Sequence, residues 1–546
     1  MRLGIDFGTT RVAVAAVDRG NFPIVSFECP DGEVRDWFPP LIAVREAELR
    51  FGWNAWMSQG EEGWIVVRSI KRLLSDAGLD TPVEIGSQRF HMHQLLQGLT
   101  SALRDDLIER SNLHLDRSEP LEVMLGVPAN SNSNQRFLTA EAFSLSGFSV
   151  IGILNEPSAA SIEFGHRQRL TGRDKERRCV LVYDLGGGTF DASLVEIDEQ
   201  THSVLASEGL ETLGGDDFDE ILAELALQTA GWDAAKIDGL RQDEIFRLHE
   251  ECRVKKEALH PNTRKITVDL ESARAGAGEV SVPVAAFYDA CRPLIQETLH
   301  TIEDLLAAHG LGNEGRKEAA GRYRLDAVYV TGGASCLPLV GRELRELFDR
   351  RVQRSAHARF ATAIGLAIQA DTESGYMLRD RFTRYFGVWR EADSGSAIWF
   401  DALFQKGEPL PGPGDWAIEI TRRYSPVHNI GHFRYLECSR LGETGQPAGD
   451  ITLWDEIRFP FDPALEHYEN LEAVPVEHSE IARQQLIEET YTCDAGGALG
   501  VAVTNINANY NRTYRLARWA THEAPVKPGR RKPIVRRARG QSPAQT

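Results

Sequence analysis

Two stretches far apart in the chain share one pattern of apolar and polar positions. Leu3 to Asp18 reads LGIDFGTTRVAVAAVD, and Cys179 to Asp198 reads CVLVYDLGGGTFDASLVEID. Each is an apolar run closing on an aspartate, Asp6 or Asp184, then a turn of Gly and Thr, then a second apolar run of small residues. That order predicts strand, tight turn and strand. The two copies lie one lobe-length apart, so the pattern predicts equivalent hairpins facing each other across a crevice.

Helical periods run between and after them. Leu95, Leu99, Leu103 and Leu107 recur at i+4, and Phe218, Ile221, Leu222 and Leu225 at i, i+3, i+4, i+7. Strands alternating with helices predict an α/β architecture. A further apolar run, Ala327 to Thr331, ends in Gly332-Gly333 before the helix-like LVGRELRELF, which places another backbone turn where open α/β sheets bind ligands. After Asp371 the pattern changes to short alternating segments around Ile398, Ile418, Phe433, Ile451 and Ile457, separated by turns such as Pro411 to Gly414. A hairpin is predicted around Asp494 to Gly497. A separate β domain from about Phe382 to Ala520 is expected.

Composition narrows the class. At 546 residues, with 42% hydrophobic and 26% charged residues, the chain is long enough for three to four folding units of ~150 residues and is neither disordered nor an integral membrane protein. With Asp6 where a signal sequence would need apolar residues, a cytoplasmic protein is expected. The seven cysteines form no CxxC pair, which argues for buried thiols over a zinc site or disulfides. Histidine pairs such as His428 and His432 lack a helical context and a third ligand. The net charge is −19, yet Ala524 to Thr546 carries Lys527, Arg530, Arg531, Lys532, Arg536, Arg537 and Arg539 with no acid. So acidic a body repels nucleic acid, leaving a solvated basic tail at residues 521–546.

The chemistry suggested by the hairpins is polyphosphate binding. Gly8, Thr9, Thr10, Gly186, Gly187, Gly188 and Thr189 supply backbone donors, close approach and hydroxyls, while Asp6 and Asp184 supply oxygens for Mg²⁺. No Gly-Lys dipeptide is present, so a Walker A loop is absent. One such turn alone is an ordinary hairpin; two at this spacing point to phosphate.

In order and spacing, LGIDFGTT (3–10), SIKRLL (69–74), VPANSNSNQR (127–136), LNEPSAASIEFG (154–165), VYDLGGGTFDASLVEI (182–197), TLGGDDFDE (212–220) and VTGGASCLPLV (330–340) resemble the nucleotide-binding domain of DnaK-type 70-kilodalton heat-shock chaperones, within the actin-like ATPase superfamily. The resemblance covers about residues 1–375. It implies ATP and Mg²⁺ as cofactors, with Asp6, Asp184 and Asp191 ordering Mg²⁺ and water. Lys71 would stabilise the γ-phosphate and the attacking water, and Glu156 would position metal-bound water. Thr9, Thr10 and Thr189 would contact phosphate, with Gly214, Gly215, Lys256, Gly332 and Gly333 completing the nucleotide site. Pro128 and Arg136 match residues that relay nucleotide state outward in that family. The implied partners are unfolded or extended polypeptides, a J-domain co-chaperone and a nucleotide-exchange factor, without a membrane.

The chain departs from that pattern around the adenosine. Glu257 and Cys336 stand where base-covering arginines are expected, His260 where a serine is, Arg359 where an aspartate is, and Arg11 where an asparagine is. Weakened base selectivity is therefore expected. Tyr376 to Asp380, within a linker placed at 376–381, matches the family's apolar interdomain linker except that Arg379 interrupts it, which weakens the expected coupling. Residues 382–520 resemble the family's peptide-binding β sandwich in diverged form. Trp399, Trp416 and Trp454 are candidates for a groove, though most are expected in the core. The helical lid of the family is expected to be missing. Two readings stay open: an ATP-dependent chaperone, and a nucleotide-gated interaction scaffold with slow or vestigial hydrolysis.

Overall fold

The computed structural model describes residues 1–516 except 69, 75–76, 171–177, 312–324, 393–396, 413–414, 455, 469 and 495–496. The basic tail, the Pro413-Gly414 end of one expected turn, the Ala495-Gly496 tip of another and Ser69 of the SIKRLL segment lie outside the described residues.

The duplicated pattern becomes a duplicated topology. In the first lobe, β1 (Arg2–Phe7) and β2 (Val12–Ala16) form an antiparallel hairpin, and β1 pairs in parallel with β3 (Glu122–Val127), which pairs with β4 (Ser149–Asn155). In the second lobe, β5 (Arg178–Leu185) and β6 (Phe190–Asp198) form the hairpin, and β6 continues antiparallel to β7 (Thr201–Leu210). There β5 pairs in parallel with β8 (Leu325–Thr331), which pairs with β9 (Val352–Arg354). Both hairpin strands are almost wholly buried because helices cover the sheets, so they read as continuous apolar runs rather than alternation.

The expected helices form where the periods placed them. Leu95, Leu99, Leu103 and Leu107 are the buried stripe of α1 (Met92–Glu109), and α2 (Ser133–Leu145) starts at Asn132, whose side chain accepts from the N–H of Gln135. Between the sheets lie α3 (Glu156–Leu170), opened by Glu156-Pro157, and α8 (Ala361–Ala370). The second lobe adds α4 (Gly215–Thr229), α5 (Gln242–Glu257), α6 (Val284–Ala308) and α7 (Pro338–Phe348).

Met377–Arg379 forms β10, which pairs in parallel with Thr201 to Ser203 at the edge of the second lobe's sheet. Tyr376, Leu378 and Asp380 are buried while Met377 and Arg379 face outward. Arg379 thus interrupts the apolar run on the outward face of a strand, where one solvent face needs alternation rather than an unbroken apolar run.

Two four-stranded antiparallel sheets follow. One has the order β12 (Ala397–Phe404), β11 (Tyr385–Ala392), β14 (Tyr435–Leu441), β15 (Pro447–Leu453). The other has the order β13 (Ile418–Tyr424), β16 (Ile487–Cys493), β17 (Leu499–Asn505), β18 (Tyr510–Arg515). Phe386, Val388 and Tyr435 from one sheet meet Ile487, Tyr491, Val501 and Val503 from the other in a common core. Trp454 belongs to that core, set edge-on to Phe386 at 5.9 Å. Trp399 and Trp416 do not; both are exposed, Trp416 by 95%. The fold is thus a two-lobed, duplicated actin-like α/β domain followed by a β-rich domain.

Candidate functional site

The two hairpin turns meet between the lobes. A methyl group placed on Gly187 would lie 1.7 Å from Thr10 Oγ1, so the second turn touches the first where only glycine permits it. Thr9 is buried beside Gly187 and Gly188, and Gly8 opens the first turn. The N–H of Gly186 donates to Thr189 at 3.0 Å, closing the second turn. Gly214 and Gly215 bring the start of α4 onto it: the N–H groups of Gly215 and Asp216 donate to the carbonyls of Gly186 and Gly187 at 2.9 and 2.8 Å. Lys256 reaches the same place from α5, donating to the Gly215 carbonyl at 2.6 Å and pairing with Asp219 at 2.7 Å. Gly332 and Gly333 follow β8, with the Gly332 N–H donating to the Ala358 carbonyl at 2.8 Å.

The carboxylates gather at the strand ends behind the turns. Asp184 and Asp191 are directly opposite in the hairpin register and so share a face. Burial, then the Glu156 charge, pushes the Asp6 carboxyl up to about 7 against the pull of Lys71. Asp191 rises to about 7 from burial and then Glu156. Asp184 is raised well above its ordinary range by burial, then by Glu156, Asp6 and Asp191. Lys71 Nζ donates to Glu156 Oε1 at 2.9 Å, with both side chains largely buried. Asp191 Oδ1 accepts from the Ala129 N–H at 2.9 Å. The glycine turns, Thr9, Thr10, Lys71, Glu156 and the three aspartates are thus brought together where the two hairpins meet, with Gly332 against Asp184 and Gly333 beside Arg359.

This cleft fits Mg²⁺ and a triphosphate chemically. Asp6, Asp184 and Asp191 are each acted on by Glu156, which itself pairs with Lys71, so four carboxyl groups cluster as a hard-oxygen donor set whose members raise one another's pKa. Thr10 Oγ1 and Arg72 Nε are buried beside the turns without a hydrogen-bond partner, two donors suited to phosphate oxygens.

Sequence reasoning missed the charge pairs that join the lobes. Arg72 pairs with Asp216 at 3.0 Å, Arg68 pairs with Glu250, and Arg68 also donates to the Thr10 carbonyl at 3.2 Å. Arg72 and Asp216 both stand inside segments already singled out, so their signal was adjacency to Lys71 and Gly215. Also missed was the contact from the loop after β3 and the start of α2 to the β sandwich. There Ser133 donates to the buried Glu437 carboxylate, and Asn132 donates to Thr452 at 3.2 Å. Arg136 donates to Asn155 and acts on the buried Asp380, so this expected relay residue does face the linker. Pro128 stands at the start of the same loop, its carbonyl accepting from Ser131 at 3.0 Å.

A duplicated two-lobed α/β fold with paired glycine turns over clustered carboxylates defines the class, the actin-like nucleotide-binding domain. Within it, the family model described as Hsp70 protein matches residues 83–382, more than half the chain, and the chain belongs to the Hsp70 family. It is 28% identical over 394 residues to the chaperone protein HscA homolog of Colwellia psychrerythraea, a match covering 68% of this chain and 58% of that protein. It is 28% identical over 382 residues to chaperone protein HscA of Klebsiella pneumoniae, covering 67% and 57%. To the HscA homolog of Aliivibrio fischeri it is 29% identical over 387 residues, covering 68% and 58%. The chain thus spans less than two thirds of the length of these relatives. Among the described residues no helix is long and apolar enough to cross a membrane.

Proposed function

We propose that this protein is an ATP-dependent, chaperone-type ATPase whose cleft state controls polypeptide binding by the β sandwich. The observation that carries the reading is the Lys71–Glu156 pair set among Asp6, Asp184 and Asp191 where two glycine turns meet. Phosphoryl transfer to water asks for placement and charge compensation more than for covalent chemistry, and the cleft offers both. Asp6 and Asp184 would hold Mg²⁺, which when bound offsets phosphate charge. Thr9, Thr10, Thr189 and the turn N–H groups bind phosphate oxygens. Lys71, oriented by Glu156, holds the attacking water, and Asp191 helps order it.

The proposed division is residues 1–375 for the nucleotide-binding domain, 376–381 for the linker, 382–520 for the β domain and 521–546 for a basic tail. Exposed Ile398, Trp399 and Trp416 support binding of an extended, partly apolar segment by the β domain. The relatives' name, chaperone, supports the same reading. A J-domain protein and an exchange factor are the co-chaperone classes proposed to act with it. The scaffold reading is favoured by one observation, the contact of the two turns together with the interlobe charge pairs, which must part before a triphosphate can enter.

Turnover of Mg-ATP by the full chain, with and without an unfolded peptide, tests the proposal. Chaperone action predicts turnover that rises with peptide and drops about 100-fold or more in Lys71→Ala. Turnover unaffected by Lys71→Ala refutes the assigned site, and absence of any peptide response favours the scaffold.

A further inference from the structure

A cavity of about 490 Å³ lies between the second lobe and the β sandwich. On the lobe side it is lined by the end of β7 and the turn after it, Glu208 to Leu213, and by Leu294 and Glu297 of α6. On the sandwich side stand Arg384, Lys406, Ser439, Arg440 and Asp450. Most of the charges along these walls answer one another. Lys406 pairs with Glu208 at 2.6 Å, and Arg384 pairs with Asp450 at 2.8 Å and lies 3.7 Å from Glu211. Asp217, on the same lining, accepts the Gly214 N–H at 2.7 Å. Two charges of opposite sign are left, one on each wall. Arg440 of β14 and Glu297 of α6 are both exposed, and neither forms an ion pair with any of the described residues. Beside Arg440, Ser439 Oγ accepts the Asp450 N–H at 2.9 Å and keeps its own hydrogen to donate. Leu210 and Leu294 add apolar lining.

We propose that this cavity binds a small aliphatic zwitterion, its carboxylate on Arg440 and Ser439 and its ammonium on Glu297, and that the ligand clamps the sandwich against the second lobe. The cavity is separate from the nucleotide cleft and shares none of the residues assigned there. A ligand of one charge satisfies one wall and leaves the opposite charge unanswered, whereas a zwitterion with an apolar middle answers both and covers the leucines. Because the two charged groups stand on different parts of the molecule, the ligand finds its full set of partners only when the sandwich is docked. It therefore favours the docked state by its differential affinity. The cavity also backs onto the cleft. Asn130, which completes the lining, donates from Nδ2 to the Gly209 carbonyl at 3.0 Å, and Gly209 stands opposite Asp191 in the strand register.

Calorimetric titration of the full chain with ε-aminocaproate tests this, with caproate and hexylamine as singly charged controls. The zwitterion should bind about threefold or more tighter than either control. In Glu297→Gln the ammonium has lost its partner, so the advantage over caproate should vanish; in Arg440→Gln the advantage over hexylamine should vanish. Both positions are exposed, so the variants keep the fold. Saturation with ε-aminocaproate should slow tryptic cleavage at Arg381 about threefold or more in the native chain and in neither variant. No binding of ε-aminocaproate at about 10 mM overturns the proposal. So does binding no tighter than the controls, or an advantage that survives both substitutions. Binding that leaves cleavage at Arg381 unchanged overturns the clamp.

Discussion

Ser133 donates its backbone N–H to the carboxylate of Glu437 at 3.1 Å, tying the first residue of α2 to a strand of the β sandwich. The loop between β3 and α2 donates from Ala129 to Asp191. Glu437 is buried, and Arg384 stands 3.7 Å away. Removing the carboxylate in Glu437→Ala leaves the Ser133 donors unanswered and Arg384 with fewer partners. Loss of one member of a buried charged pair costs roughly 3–5 kcal/mol. Part of that cost should be relieved by undocking of the two domains. Tryptic cleavage at Arg379 and Arg381 should then be faster and lose its dependence on Mg-ATP; unchanged cleavage in both states would refute the coupling.

Gly187→Ala probes the contact of the two turns. The added methyl group meets the Thr10 hydroxyl, so the lobes cannot close to the observed approach. A fluorescent nucleotide should associate about tenfold faster or more, because the turns no longer have to part before it enters, with thermal stability little changed because no core residue is altered. Since the clash is chiefly with Oγ1, adding Thr10→Ala should restore part of the slow association. Failure of the double variant to recover any of it would show that turn contact does not govern entry.

The hairpins with Asp6 and Asp184 were legible because each depends on local residue order: an apolar run, an aspartate, a glycine turn; Lys71, Glu156 and Asp191 carry no such local pattern and were reached only through the family resemblance. Arg72 with Asp216, and Ser133 with Glu437, depend on chain segments that only tertiary packing brings together, and neither partner has a local pattern of its own. The place of Arg379 on a strand was hidden for a related reason. Its alternation with Tyr376, Leu378 and Asp380 has meaning only once Thr201 to Ser203 is known to be its neighbour. Arg11 and Glu257 were visible as departures, but their pairing with each other was not.

The sandwich carries a buried ionic network that should dominate its stability. Glu489 is fully buried, and Arg390 donates to it at 2.8 Å while also holding Asp401 at 2.7 Å. Tyr491 and Tyr424 donate their hydroxyls to the same carboxylate. Glu489→Ala leaves a buried guanidinium partly unpaired and two hydroxyls without their acceptor, at a cost of roughly 3–5 kcal/mol. Replacing Arg390 with Met and Glu489 with Leu together should cost less than the sum of the single changes. Urea denaturation of the three variants measures this, and strict additivity would show that the network does not act as a unit.

His202 makes the linker strand sensitive to acid. It lies on β7 within the stretch that pairs with β10, 5.8 Å from the Tyr376 ring, with Ser161 Oγ 3.0 Å from Nδ1. Burial holds its imidazole down to about 3, from an ordinary 6.5. Below 6.5 the unfolded chain binds a proton that the folded state refuses, so stability falls as pH drops through the window from 6.5 toward 3. Between pH 7 and 5 the loss from this group alone is about 2 kcal/mol at 1.36 kcal/mol per unit. His202→Gln keeps a polar partner for Ser161 but does not titrate, so its urea midpoint should fall less than that of the unmodified chain between those pH values. Parallel loss in the two proteins would place the acid sensitivity elsewhere. A gap opening as pH drops, accompanied by earlier cleavage at Arg379, would place it under the linker, because β10 is held at the sheet edge through Thr201 to Ser203 on either side of this one imidazole.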